Sequence, residues 1–134
     1  MRVRRIAIAL LLLSLAACAR ALPPNRVQVT DLRNLAGTYT GNMNEASELK
    51  RSVRLVLQPN GIFELVVGDP KGFRTGGVMA IAPDGSLAYQ YNEMMGQGRV
   101  ATGTVAVYEG DGRQALVLTQ NDRSTITTVA RDLP

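Results

Sequence analysis

Ser52-Val53-Arg54-Leu55-Val56-Leu57-Gln58-Pro59-Asn60-Gly61-Ile62-Phe63-Glu64-Leu65-Val66-Val67 is the stretch that decides the fold. Val53, Leu55 and Leu57 alternate with Arg54 and Gln58, and Phe63, Leu65 and Val67 alternate with Glu64. A period of two puts all the large apolar side chains on one face of an extended chain. Between the halves stands Pro59-Asn60-Gly61. Proline pre-sets a negative φ, and Asn and Gly tolerate the positive φ of a tight hairpin. The stretch predicts two antiparallel strands with one wet and one buried face.

The same rhythm runs in both directions from it. Turn residues recur at Gly68-Asp69-Pro70-Lys71-Gly72, Pro83-Asp84-Gly85, Gly96-Gln97-Gly98, Gly110-Asp111-Gly112 and Gln120-Asn121-Asp122. Phe73, Met79 and Ile81 share a face opposite Arg74; Leu87, Tyr89 and Tyr91 share one opposite Ser86 and Gln90. Val105 with Val107, and Leu116 with Leu118, continue the pattern, and Ile126 sits in a threonine-rich last strand. The spacing predicts eight strands, over 36–43, 51–58, 62–68, 73–82, 86–91, 98–108, 113–120 and 123–130. Short connections favour an all-β, antiparallel up-and-down barrel of eight strands, whose closure removes exposed edges. A two-sheet β-sandwich is the alternative. A single helical turn is expected within 44–50. A barrel of eight strands is either filled by its own side chains or holds one small ligand.

At the N-terminus Arg2, Arg4 and Arg5 precede Ile6–Ala17, an uncharged run whose only polar residue is Ser14. As a helix this run covers about 18 Å, short of the ~30 Å hydrocarbon core, so it reads as a signal-peptide core and not a membrane span. The run ends in Leu15-Ala16-Ala17-Cys18, and Cys18 is the one cysteine of the chain. This tetrapeptide resembles the lipobox of bacterial lipoproteins. The resemblance implies removal of residues 1–17 and lipidation of the Cys18 sulfur, which anchors the protein to a membrane. Ala19, standing where members retained at the inner membrane often carry Asp, implies the outer membrane facing the periplasm. Ala17-Cys18-Ala19 and Ala19-Arg20-Ala21 also satisfy the rule of ordinary signal peptidase, which would discard the cysteine. The expected organisation is a signal peptide over 1–17, a lipid-anchored N-terminus and linker over 18–34, and a barrel over 35–134. Ala21–Arg26, with Pro23-Pro24-Asn25, reads as a short extended tether.

The formal charge of +4 is largely a property of the leader. From Val27 onward ten lysines and arginines face eleven acids. The basic residues are scattered, with no aromatic array among them, which argues against nucleic-acid binding.

Gly37-Thr38-Tyr39 opens the first strand and is similar to the Gly-x-Trp that opens lipocalin-type barrels, with Tyr in place of Trp. In that superfamily the aromatic closes the barrel floor beneath an Arg near the end of the last strand, a place held here by Arg131. The resemblance implies a structural role for Gly37, Tyr39 and Arg131; the middle lipocalin motif is missing. Tyr39 as a plain core aromatic is the other reading.

The remaining motifs carry little chemistry. Gly96-Gln97-Gly98-Arg99-Val100-Ala101 matches a dinucleotide-binding pattern in letters, but the β-branched Thr102-Gly103-Thr104-Val105-Ala106-Val107 follows where a helix is required. Met43, Met79, Met94 and Met95 show no ligand spacing, and the chain has no histidine. The usual Ser-His and Cys-His nucleophile systems are therefore unavailable, and no catalytic residue, metal or cofactor is assigned. Glu64, Glu93 and Glu109 fall on separate segments. Tyr89 and Tyr91 share an inward face and are the candidates to line a pocket mouth. The expectation is a non-enzymatic envelope lipoprotein whose barrel binds a protein partner or a small apolar ligand. Envelope inhibitors of proteases and lysozyme use similar barrels, though their cysteines and tryptophans are absent here. The alternative is an accessory subunit of an envelope complex, contacting it through loops 44–50 and 92–98 or an outward patch of Val56, Val66, Val78 and Val117.

Overall fold

The computed structural model describes residues 21–45, 50–68, 72–92 and 101–134. Nine strands run β1 (Asn25–Val27), β2 (Gly37–Glu45), β3 (Lys50–Leu57), β4 (Ile62–Val67), β5 (Phe73–Ile81), β6 (Leu87–Tyr91), β7 (Thr102–Gly110), β8 (Arg113–Gln120) and β9 (Thr125–Asp132). Each strand from β2 to β9 pairs antiparallel with the next in sequence. Pairing of β2 with β9 closes the ring. The result is a closed eight-stranded up-and-down barrel of the lipocalin and avidin kind, and the sandwich alternative falls. β2 continues through Glu45 and β3 begins at Lys50, and the single helical turn expected within 44–50 falls on 46–49, outside the described residues.

The period-two reading explains the interior. Tyr39, Leu55, Leu57, Phe63, Leu65, Val67, Met79, Leu116, Leu118 and Val129 point inward and are at most 2% exposed. Thr38, Thr40, Arg54, Glu64, Arg74, Gln90 and Thr104 face out. An apolar inside and a polar outside is the reverse of a membrane-spanning barrel, which carries its apolar band on the lipid side. Among the described residues no helix is long and apolar enough to cross a membrane.

The N-terminal boundary moves. The expected linker over 18–34 contains β1, whose Asn25, Arg26 and Val27 pair with Glu109, Tyr108 and Val107 of β7. β6 occupies the same edge of β7 only from Thr102 to Val105, so β1 continues the line that the short β6 leaves unfinished. The chain then crosses one end of the barrel to reach β2, burying Val29 and, through the single 3-10 turn Leu32–Leu35, Leu35 at 1% exposure. The sheet therefore takes in Asn25–Val27, and the tether reading of Ala21–Arg26 holds for no residue that β1 uses. Three residues of strand with only Val27 apolar, next to two prolines, give no readable alternation.

This crossing distinguishes two ends. The turn end holds the 3-10 turn and the β3–β4, β5–β6 and β7–β8 connections. The loop end holds the β2–β3, β4–β5, β6–β7 and β8–β9 connections; residues 46–49, 69–71 and 93–100 of these lie outside the described residues.

Candidate functional site

At the turn end, alternation on β2 sends Tyr39 inward, and the parity of Leu116 and Leu118 on β8 sends Gln114 inward too. Both are buried, Gln114 at 2% exposure. The Tyr39 hydroxyl proton is shared between the Leu35 carbonyl at 2.6 Å and Gln114 Oε1 at 3.0 Å. Arg131 Nε donates to the same Oε1 at 2.9 Å, and Gln114 Nε2 donates to Glu109 Oε1 at 2.8 Å. The guanidinium also donates through Nη1 to the Ala36 carbonyl at 2.6 Å and through Nη2 to that of Asn34 at 3.1 Å. These are carbonyls that the end of a helical turn leaves unpaired.

The same guanidinium lies over the Tyr39 ring, 4.8 Å from its centroid. It fills the space above Gly37, so that any Cβ there would strike Arg131 Nη1. Gly37, Tyr39 and Arg131 thus meet in one cluster. Burial pushes the Tyr39 hydroxyl up to about 12, with the nearby Arg131 charge opposing it. The phenol stays neutral and works as a hydrogen-bond donor, not as a base. Gln114 and Glu109 complete the cluster; the sequence marks Glu109 only as a carboxylate for acid–base work and does not single out Gln114. An inward-facing glutamine among leucines was the available signal.

Tyr89 and Tyr91, the expected pocket residues, lie inside the barrel. They are 4% and 2% exposed and pack edge to face, with centroids 5.2 Å apart. Phe63 packs edge to face on Tyr91 at 5.7 Å. Glycines make the room: a Cβ on Gly103, the register partner of Tyr89, would come within 2.5 Å of that ring, and one on Gly77 within 2.6 Å of Phe63. Burial pushes the Tyr89 hydroxyl well up, and that of Tyr91 up to about 12 against a hydrogen bond with Thr127. These rings fill the barrel.

Outside, Ile62 and Val78 are register partners on β4 and β5, 45% and 41% exposed, with Val56 half-buried beside them on β3. Gly76 leaves a shallow groove there, bordered by Glu64 and Arg74, whose exposed charges stand 3.5 Å apart. Val66 is flanked in register by Arg54 and Arg74. Val117 lies on β8, away from the others, so of the expected four only Val56 and Val78 share a patch, with Ile62 between them, and Val66 and Val117 stand apart. Asn92, Asn44, Glu45 and Lys50 are the described parts of the two expected contact loops. Cys18 lies outside the described residues.

Among the described residues no three acids, histidines or cysteines come together as a metal site. Of the three glutamates considered for acid–base work, Glu64 and Glu109 are on β4 and β7 and serve the Arg74 pair and the Gln114 network. Glu93 lies outside the described residues. Comparison of the chain with known protein families and with curated proteins finds no match.

Proposed function

We propose that this is a non-enzymatic lipoprotein of the cell envelope, anchored through a lipid on Cys18 to the outer membrane on its periplasmic side. It acts by binding a protein partner on the outside of its barrel. The observation that carries this reading is the contrast between interior and exterior. Tyr89, Tyr91 and Phe63 occupy the space where a small apolar ligand would sit, and the outer patch of Val56, Ile62 and Val78 stays in water. Exposed apolar groups held side by side on a rigid sheet favour a protein contact. An inhibitor-like binder and an accessory subunit of an envelope complex are two forms of this function. A filled barrel with a patch on one side is what the accessory form requires.

Two experiments test it. Cys18→Ala abolishes fatty-acid labelling and releases the domain in soluble form; unchanged membrane association sinks the anchor. A photo-reactive residue at Ile62, in cells, forms a discrete adduct that the same residue at Thr128 across the barrel does not. A purified domain that binds a fluorescent fatty acid saturably, one to one, would overturn the choice of partner over ligand.

A further inference from the structure

We infer that the barrel stands on its membrane with the turn end down, touching lipid through Leu22, Leu133 and the β7–β8 turn, and holds its loop end away from the bilayer. This rests on the anchor at Cys18 proposed above. The chain is fastened to the barrel almost from the anchor onward. The Ala21 carbonyl accepts from Arg113 Nη1 at 3.4 Å, and Pro23 is buried. Pro24 lies against Gly110, where an added Cβ would come within 2.5 Å of its Cδ, and β1 then joins β7. All four attachments are at the turn end. Cys18 is three residues before Ala21, so its Cα lies within about 11 Å of that of Ala21 whatever path the chain takes.

That reach is smaller than the barrel is tall. From Asp132 to Ile126 β9 climbs about 20 Å along the strand, or about 15 Å along the axis after its tilt. A tether this short keeps the turn end beside the bilayer and cannot bring the loop end there by swinging. The side chains near the anchor suit that contact. Leu22 is 43% exposed and Leu133 37% exposed. The Leu133 amide donates to the Gly112 carbonyl at 2.7 Å, which pins it beside the β7–β8 turn. Lying on the side nearest the anchor would instead press Thr38, Thr40, Asn42 and Thr128 against lipid, which their hydroxyl and amide groups disfavour. Arg26, Arg33, Arg113 and Arg131 at this end stand against Asp31, Asp84, Glu109, Asp111 and Asp132, so charge does not draw this end to the bilayer. The acyl chains supply residence, and the leucines supply the pose.

The chain has no tryptophan, so a single introduced one reports alone. Leu22→Trp, Leu133→Trp and Ile126→Trp each replace an exposed apolar residue, and melting curves confirm that each variant folds. The lipidated proteins are placed in phosphatidylcholine vesicles bearing a nitroxide at the headgroup. Leu22→Trp and Leu133→Trp lose most of their emission, and Ile126→Trp keeps its emission. Equal loss at all three sites means the barrel lies on its side and overturns the inference, as does loss at Ile126 alone or at none. A failed anchor shows itself separately, because the natural protein then does not float with vesicles. Coupling the Cys18 thiol to a maleimide lipid repeats the orientation measurement in that case.

Discussion

The two ends of the barrel solve the same problem differently. At the turn end the strands are joined by short connections, and the crossing chain drops Val29 and Leu35 into the opening. The carbonyls of its 3-10 turn are taken up by Arg131, which Tyr39 and Gln114 hold in place. At the loop end the inward positions of β2 and β3 are Glu45 and Arg51, a loose ion pair through Arg51 Nε at 3.8 Å, too long for a hydrogen bond, which that nitrogen finds nowhere among the described residues. One end is a satisfied polar network beneath an apolar core. The other presents polar side chains around a rim whose connections are longer. A scaffold secured at one end leaves the other free to vary without loss of the fold.

The sharpest way to break this contrast is to remove the ring that holds the turn end. Tyr39→Ala lowers the unfolding free energy by about 3–5 kcal/mol, because it opens a cavity, orphans the Leu35 carbonyl and removes one of the two donors to Gln114 Oε1. Tyr108, half-buried on the outer face with Arg26 at 5.9 Å, loses under about 1 kcal/mol as Tyr108→Ala. Urea melts of both variants check this. Similar losses would mean the Tyr39 cluster is ordinary core packing.

Alkaline pH probes both halves at once. The folded-state values of Tyr39 and Tyr91 are raised from 10.0 to about 12. A phenol harder to ionise in the fold leaves stability flat below the unfolded value, and stability is lost as pH climbs from 10 towards 12. The loss is on the order of 2 kcal/mol, discounted because Tyr39 is coupled to the Arg131 charge. Tyr89, also pushed up by burial, contributes to the same fall, so Tyr91→Phe, compared with the parent at each pH, flattens it by about a third. A slope that Tyr91→Phe leaves unchanged would show that the interior rings are wetter than their packing indicates.

Much of this architecture was legible because strand parity is a local property. Eight strands, their faces and most bounds follow from residues two apart, and so does the inward aim of Tyr39, Tyr89 and Tyr91. Parity does not say what an inward residue meets. Tyr89 and Tyr91 read as pocket residues until Gly103 and Gly77 are seen across the register, where their missing side chains admit rings. Gln114 has an inward address, but its partners Arg131 and Tyr39 come from strands that only closure brings beside it. β1 was illegible for another reason: its stability lies in the unfinished edge of β7, not in its own residues.

Gly103→Ala tests that lesson. The added methyl strikes both the Thr119 backbone carbonyl and the Tyr89 ring, and overpacking costs about 1–3 kcal/mol. Tyr89→Leu on the same background recovers the part due to the ring and leaves the part due to the carbonyl, and the double-mutant cycle separates the two. Additive losses would detach the glycine from the ring.

The smallest effect compares one turn at the two ends. Pro83-Asp84-Gly85-Ser86 and Asn121-Asp122-Arg123-Ser124 fold alike. In each, Asp Oδ1 accepts from the backbone N and the Oγ of the serine two residues on. In each, the intervening residue has positive φ, +86° at Gly85 and 60° at Arg123. Glycine takes that conformation without strain, whereas an arginine there is strained by about 1 kcal/mol, partly offset because glycine gives up more chain entropy on folding. Arg123→Gly therefore raises stability by about 0.5 kcal/mol, and Gly85→Ala lowers it by about 1 kcal/mol and displaces Gln28 Nε2, 2.8 Å from the new Cβ. Both shifts are read from denaturant midpoints. An Arg123→Gly that destabilises would show that the arginine side chain supports the loop end, whose rim would then be secured by more than its backbone.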